Sequence, residues 1–388
     1  MTTVLLTLGR LPKALEVARA LHSAGARVLV AEPFERHLSG VSNAVSQSFV
    51  VTAPALDRQR YLDDLRALVR AHQVDLLVPI SEEIVHVSAL HGTLPASCRL
   101  LSMSQAEILA VHDKGRFVET CAAAGVSAPQ SHPSDHESAR ELAAKFDYVL
   151  KPTSSCSGRG VRFLAAGDEV PPVAERSIVQ RLLRGELVSS FSIARAGEVR
   201  LTVLYRGAVM QGTVAVCFER IDVPPAVDRW IRSFVAHTRF DGFVSFDLII
   251  DAEGQVHGIE CNPRATSGIH FVEPQGLAAA LLEPQTAPPP TLRAGRFAQQ
   301  FYPCLTETQK SMFTLRFRRN LRCLLQAREV TWDAADPWPF IGMPYTAWNI
   351  IALASRKRMT FGEVAMLDFA WSAAEQSRVA GASAEVVE

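Results

Sequence analysis

The first 95 residues alternate short apolar runs with helix-period segments, and this alternation constrains the fold most. Val4 to Leu8, Val28 to Ala31 and Leu76 to Ile80 are compact apolar runs, while Leu15 to Leu21 and Leu62 to Val69 lie between them at helical spacing. Continuous apolar runs suit strands covered on both faces, and helices between them make βαβ units. The expectation is an α/β unit over 1–95 with a doubly wound parallel sheet, whose ligands gather beyond the carboxyl ends of the strands. Thr7-Leu8-Gly9-Arg10 and Ser81-Glu82-Glu83 follow two such strands. Arg10 and Glu82 are therefore candidate substrate contacts, with solvated surface charge as the plain alternative. Gly9 and Gly25 do not form a GxGxxG fingerprint, so the motif gives no support for dinucleotide binding.

A chain of 388 residues exceeds one typical domain. Residues 96–185 read as linker helices and a small α+β unit, and 186–290 as a larger α+β unit whose strands form an antiparallel sheet. Ala287-Pro288-Pro289-Pro290 marks a linker, and 291–388 read as a mostly helical extension. Forty basic and forty acidic side chains cancel, so overall charge predicts neither a polyanion nor an anionic membrane as partner. The seven cysteines are scattered, without a pair at metal-ligand spacing, which fits a reducing compartment. The N-terminus lacks the plan of a secretory signal, and the longest apolar stretch, Phe340 to Ala354, is interrupted by Gly342, Pro344, Thr346 and Asn349. A cytoplasmic location is expected.

The residues that carry chemistry lie around one predicted hairpin. In Glu260-Cys261-Asn262-Pro263-Arg264, alternation puts Glu260, Asn262 and Arg264 on one face. Counting outward from the turn Asp251 to Gly254 brings Asp247 beside Glu260. Two carboxylates and an amide oxygen suit a hard cation such as Mg²⁺, and a neighbouring arginine can grip a phosphoryl or carboxylate group with two hydrogen bonds. A strand-end acid alone is ordinarily just solvated; convergence of four such residues is what marks the site. Lys151 ends the apolar strand Tyr148 to Lys151 before Thr153-Ser154-Ser155-Cys156-Ser157-Gly158-Arg159-Gly160, a loop that reads equally as a phosphate cradle or a plain hairpin turn. No GK[ST] follows Gly160, so it is not a Walker A sequence.

Taken in order, these parts resemble the ATP-grasp superfamily over roughly residues 1–285. The resemblance implies an ATP-grasp fold: the N-terminal α/β unit, a small lid subdomain, and an antiparallel-sheet subdomain carrying the metal. It implies that Lys114 and Lys151 contact ATP phosphates, that Ser157, Gly158 and Gly160 cover them, and that Gln180 and the backbone at Leu182 hold adenine. Asp247, Glu260 and Asn262 would ligate Mg²⁺, with Mn²⁺ as a substitute, and Arg264 and Lys151 would serve the chemistry directly. Leu187 stands where the family often places a ribose-binding Glu, with Glu186 one position earlier. The implied reaction converts a carboxylate to an acyl phosphate, which an amine then displaces. Alternatives are a carboxylase or other acyl-phosphate enzyme using bicarbonate or formate, and a non-catalytic ATP-binding protein. Expected partners are a small-molecule carboxylate and amine, without nucleic acid or membrane, and a homodimer is compatible with the sequence.

Ser267, Gly268 and His270 follow Arg264 and are candidate acceptor contacts, with a structural histidine as the plain alternative. Beyond the linker, Phe313, Phe317, Leu321, Leu324 and Leu325 recur near helical spacing beside Arg316, Arg318, Arg319, Arg322 and Arg328. This predicts a docking helix with a solvated basic face, with membrane-surface or RNA contact as the lesser alternative, since no aromatic RNA motif accompanies the charge. Trp332, Trp338, Trp348 and Trp371 are expected in a core or dimer interface.

Overall fold

The computed structural model describes residues 1–154, 160–212, 214–283, 286–357, 364, 367–369 and 371. Strands β1 (Thr3–Thr7), β2 (Arg27–Glu32), β3 (Gln47–Val50), β4 (Leu76–Val78) and β5 (Arg99–Leu100) form an all-parallel sheet in the order β3-β2-β1-β4-β5. Because neighbouring side chains on a strand point to opposite faces, Val4 and Leu6 enter one core with the helix Pro12–Ser23, while Leu5 enters another with the helix Arg58–Ala71. Both faces are covered, as the uninterrupted apolar runs require.

The small sheet, ordered β6-β9-β7-β8, comprises β6 (Ser131–Pro133), β7 (Tyr148–Pro152), β8 (Arg162–Leu164) and β9 (Ser177–Arg181). The large sheet takes β10 (Glu186–Arg195), β11 (Glu198–Gln211), β12 (Val214–Ile221), β13 (Gly242–Ile250) and β14 (Val256–Asn262). It continues past the proline linker with β15 (Phe297–Gln299) and β16 (Arg328–Glu329), in the order β14-β13-β10-β11-β12-β15-β16. The C-terminal part is thus not wholly helical; it lengthens the large sheet by two short strands. One face of this sheet is covered by the helix Pro225–Thr238, through Val227, Trp230, Ile231, Phe234 and Val235. The other face shares a continuous core with the N-terminal unit, where Phe191, Ile193 and Val203 pack in one cluster with Val4, Leu6 and Ala14. Gly258 is needed for this layering, since a Cβ there would lie 2.4 Å from the Trp230 ring.

Among the described residues no helix is long and apolar enough to cross a membrane. Trp371 is buried, whereas Trp332, Trp338 and Trp348 are exposed rather than part of a core.

Candidate active site

The hairpin β13–β14 sets the site. Asp251 organises its turn by accepting hydrogen bonds from the amides of Glu253 (3.1 Å) and Gln255 (2.8 Å), and Gly254 supplies the positive φ of 78°. The register that follows pairs Asp247 with Glu260 and Ser245 with Asn262. A bulge then opposes Leu248 to Gly258 and leaves Ile259 unpaired, and its carbonyl accepts a hydrogen bond from Lys151 Nζ at 3.3 Å. The bulge therefore turns a main-chain oxygen toward the neighbouring small sheet.

Two lysines reach the same place from different elements. Lys114 begins the helix Lys114–Ala123, whose first amides are capped by Asp113: Oδ1 accepts from Gly115 and Arg116, both at 3.0 Å. A cation at a helix N-terminus opposes the macrodipole, and here Glu260 offsets that cost, with Oε2 3.4 Å from Lys114 Nζ. The Lys114 amide also donates to Thr153 O at 3.0 Å, tying this helix to the end of β7, where Lys151 sits. Lys151 Nζ donates to Gln180 Oε1 at 2.9 Å, and Gln180 Nε2 donates to Ser131 Oγ at 2.9 Å. Burial pushes the Lys151 ammonium down to about 8, against the attraction of Glu260.

The two carboxylates divide unequally. Burial and then the negative charge of Glu260 push Asp247 up to about 7, although Ser189 Oγ donates to its Oδ1 at 2.6 Å. Burial alone would raise Glu260 too, but Lys114 and Lys151 hold it at about 2. Asn262 Nδ2 lies 3.4 Å from both Asp247 Oδ2 and Glu260 Oε1, so rotating its amide would turn Oδ1 toward the same space. Facing carboxylates that repel strongly enough to retain a proton, beside a third hard oxygen, fit a small divalent cation whose coordination is completed by phosphate and water. Among the described residues no group of three or more His, Cys, Asp or Glu could hold a metal, so this set depends on the amide and a bound ligand.

Arg264 closes the site on the side of the N-terminal unit. Its Nε donates to Glu82 Oε1 at 2.6 Å and its Nη2 to Asn262 Oδ1 at 3.0 Å. Glu82 is thus brought to the site as the orienting partner of Arg264, and its Oε2 lies 3.4 Å from His112 Nε2. Sequence reasoning missed His112, although it immediately precedes Asp113 and Lys114, and missed Lys13. Lys13 Nζ donates to Ser81 Oγ at 2.9 Å and to Ala265 O at 2.7 Å, with its pKa lowered by burial and by Arg264.

Other candidates stand elsewhere. Arg10, a candidate substrate contact, is buried in an ion triad with Glu32 and Asp368, donating to Asp368 Oδ1 at 2.8 Å and Oδ2 at 2.7 Å, with its guanidinium over Phe34. His270 is buried against Glu16, with Nδ1 3.0 Å from Oε2, so its ring is committed to a structural contact. Gly268 packs on the large sheet, where a Cβ would lie 2.5 Å from Phe191 Cβ, and Ser267 begins the same short 3₁₀ turn. Gly268 and His270 are both buried. The Leu182 amide donates to Asp147 O at 2.8 Å, and Glu186 is exposed and paired with Arg206 at 2.6 Å. Ser157 and Gly158 lie outside the described residues, as does Cys156; Gly160 is described, with φ 74° beside Pro152.

Residues 111–268 match the model of the ATP-grasp domain, an interval that contains Lys114, Lys151, Asp247, Glu260, Asn262 and Arg264. No curated protein sequence matches the chain significantly. N5-carboxyaminoimidazole synthetase from Staphylococcus aureus superposes with a TM-score of 0.62 at 13% identity, covering 80% of this chain and 85% of that one. The biotin carboxylase domain of Hydrogenobacter thermophilus 2-oxoglutarate carboxylase, solved with MgADP, ADP and bicarbonate, gives 0.58 at 13%, covering 72% and 69%. L-amino acid ligase from Bacillus licheniformis gives 0.58 at 14%, covering 75% of each chain. At these identities the likeness is one of fold. Residues 111–268 thus match an ATP-grasp domain, and solved structures at low identity share the architecture of most of the chain.

Proposed function

We propose that this protein is an ATP-dependent ligase that activates a carboxylate as an acyl phosphate and couples it to an amine, releasing ADP and phosphate. The observation that carries the reading is the convergence of Asp247, Glu260 and Asn262 with Lys114 and Lys151. Mg²⁺ held by the three oxygen donors, or Mn²⁺ in its place, would screen the phosphate oxygens. Lys114 and Lys151 neutralise charge that spreads over the phosphoryl group during transfer, which lowers the barrier because they are already in position. Gln180 acts by holding Lys151. Arg264, oriented by Glu82, steadies the carboxylate and then its acyl oxygen. One carboxylate oxygen bonds to the γ-phosphorus as ADP leaves; the amine nitrogen then attacks the acyl carbon, phosphate leaves with that oxygen, and the amine loses a proton to solvent. The loop before Gly160 would cover the phosphates and keep water from the acyl phosphate. The cytoplasm is the proposed compartment, consistent with the described cysteines all being free.

A bicarbonate-dependent reaction is the second reading, because one fold neighbour is a carboxylase domain solved with bicarbonate. Substrate labelled with ¹⁸O in its carboxylate separates acyl phosphate formation from simple ATP hydrolysis. One labelled oxygen should appear in the released phosphate; unlabelled phosphate alongside a coupled product would refute the acyl phosphate.

A further inference from the structure

After the helix Phe301–Lys310, a turn and the helix Phe317–Gln326 build a surface that the proposed activity does not use. The inner side of the second helix is fastened: Asn320 and Cys323 are buried, Asn320 Nδ2 donates to Ser311 Oγ at 3.1 Å, and Gln299 Nε2 donates to Leu324 O at 2.9 Å. The outer side is therefore presented rigidly. Phe313 and Leu315 stand 97% and 104% exposed on the turn, beside Met312 at 51%, and Leu325 is 75% exposed at the other end. Between them Arg316, Arg318, Arg319 and Arg322 are exposed, and none forms an ion pair with an acidic side chain among the described residues. Within the helix Arg318, Arg322 and Leu325 follow helical spacing, so cationic and apolar groups share one outward stripe, and Leu315 stands on the turn before it. A solvated basic face alone would leave the protruding Phe313 and Leu315 unexplained.

The chemistry selects the occupant. A second copy packed face to face would oppose four guanidinium groups to four others. A nucleic acid would meet the arginines, but Phe313 is the single strongly exposed ring in the patch on which a base could stack, and Met312, Leu315 and Leu325 would gain nothing from bases. A protein partner would need pockets matched to side chains that project from a turn. A bilayer interface accepts such projections whatever their shape, and supplies anionic headgroups at the level of the arginines. We infer that this surface docks on an anionic phospholipid bilayer, with Met312, Phe313 and Leu315 entering the boundary of the acyl region and the four arginines pairing with headgroups.

The test is co-sedimentation of the full chain with vesicles of phosphatidylcholine alone or with about one third phosphatidylserine, at low and at high salt. The protein should bind the phosphatidylserine vesicles at low salt, leave them at high salt and ignore phosphatidylcholine. Phe313→Ser with Leu315→Ser, and separately Arg318→Glu with Arg322→Glu, should each lower the partition coefficient about tenfold or more, with thermal unfolding unchanged because all four side chains are exposed. The inference is overturned if wild-type protein stays in the supernatant with phosphatidylserine vesicles, if both double variants bind as wild type does, or if single-stranded RNA displaces the protein from the vesicles.

Discussion

Glu260 faces Asp247 across the hairpin and Lys114 at 3.4 Å, so its charge is what draws the cations of the site together. Glu260→Gln should lower kcat about a hundredfold or more while leaving the circular dichroism spectrum unchanged, because the substitution removes charge rather than packed volume. Wild-type turnover in that variant would remove Glu260 from the site. The Lys151 ammonium, pushed down to about 8 by burial, should lose its proton as pH rises through that value, and ATP affinity should fall with it. Lys151→Arg keeps its charge across this range, so calorimetric titrations should show a step near pH 8 in wild-type protein and a flatter profile in the variant. Residue chemistry of this kind was legible in the sequence because Glu260, Asn262 and Arg264 lie two positions apart at the end of one strand and just beyond it. Lys13 was not legible, since its partners Ser81 and Ala265 come from elements far along the chain.

At the scale of elements, what local physics determines could be read and what partners determine could not. Counting outward from a short turn brings Asp247 near Glu260, but regular pairing would set it opposite Ile259; the bulge there, which depends on the facing strand and leaves no mark in the spacing, puts Glu260 opposite Asp247. Phe313 fits a helical period with Phe317, yet the helix begins at Phe317. Thr314 Oγ1 accepts from the Arg316 amide at 3.3 Å, a side-chain bond that favours a turn over the helix the apolar spacing predicts. Capping, by contrast, supports the placement of Lys114. Asp113→Ala should destabilise the protein by about 1 kcal/mol and raise the KM for ATP, because the cap fixes the helix end that carries the lysine. An unchanged KM in a steady-state ATP titration would detach the cap from the nucleotide site.

Across the whole molecule, Glu16 joins segments that are remote in sequence. It meets His270 at 3.0 Å, Arg293 at 2.6 Å and Arg328 at 3.4 Å, fastening the N-terminal unit to the chain beyond the large hairpin. Burial alone would raise its carboxyl, but the His270 hydrogen bond and the two arginines bring it from 4.5 to about 2. A depressed carboxyl stabilises the fold above its unfolded value, and that contribution fades as pH falls from 4.5 toward 2. Glu16→Gln should cost about 3–5 kcal/mol at neutral pH by leaving the arginines uncompensated, and its Tm should vary less with pH over that acid range. Equal Tm profiles for both proteins would refute the role. Contacts such as this one, and the pairing of Arg10 with Asp368, are invisible to a reading of local pattern, which is why that reading leaves His270 and Arg10 open between substrate contact and a structural or surface role. The large hairpin and the two lysines were visible, and they bear the functional reading. The most direct test is ADP release with Mg²⁺ across a panel of carboxylates and amines, with the products weighed by mass spectrometry. The account predicts ADP release that needs both partners and a product of mass equal to acid plus amine minus water; ATP turnover that needs bicarbonate and yields only a carboxylated product, or nucleotide binding without turnover across the panel, would contradict it.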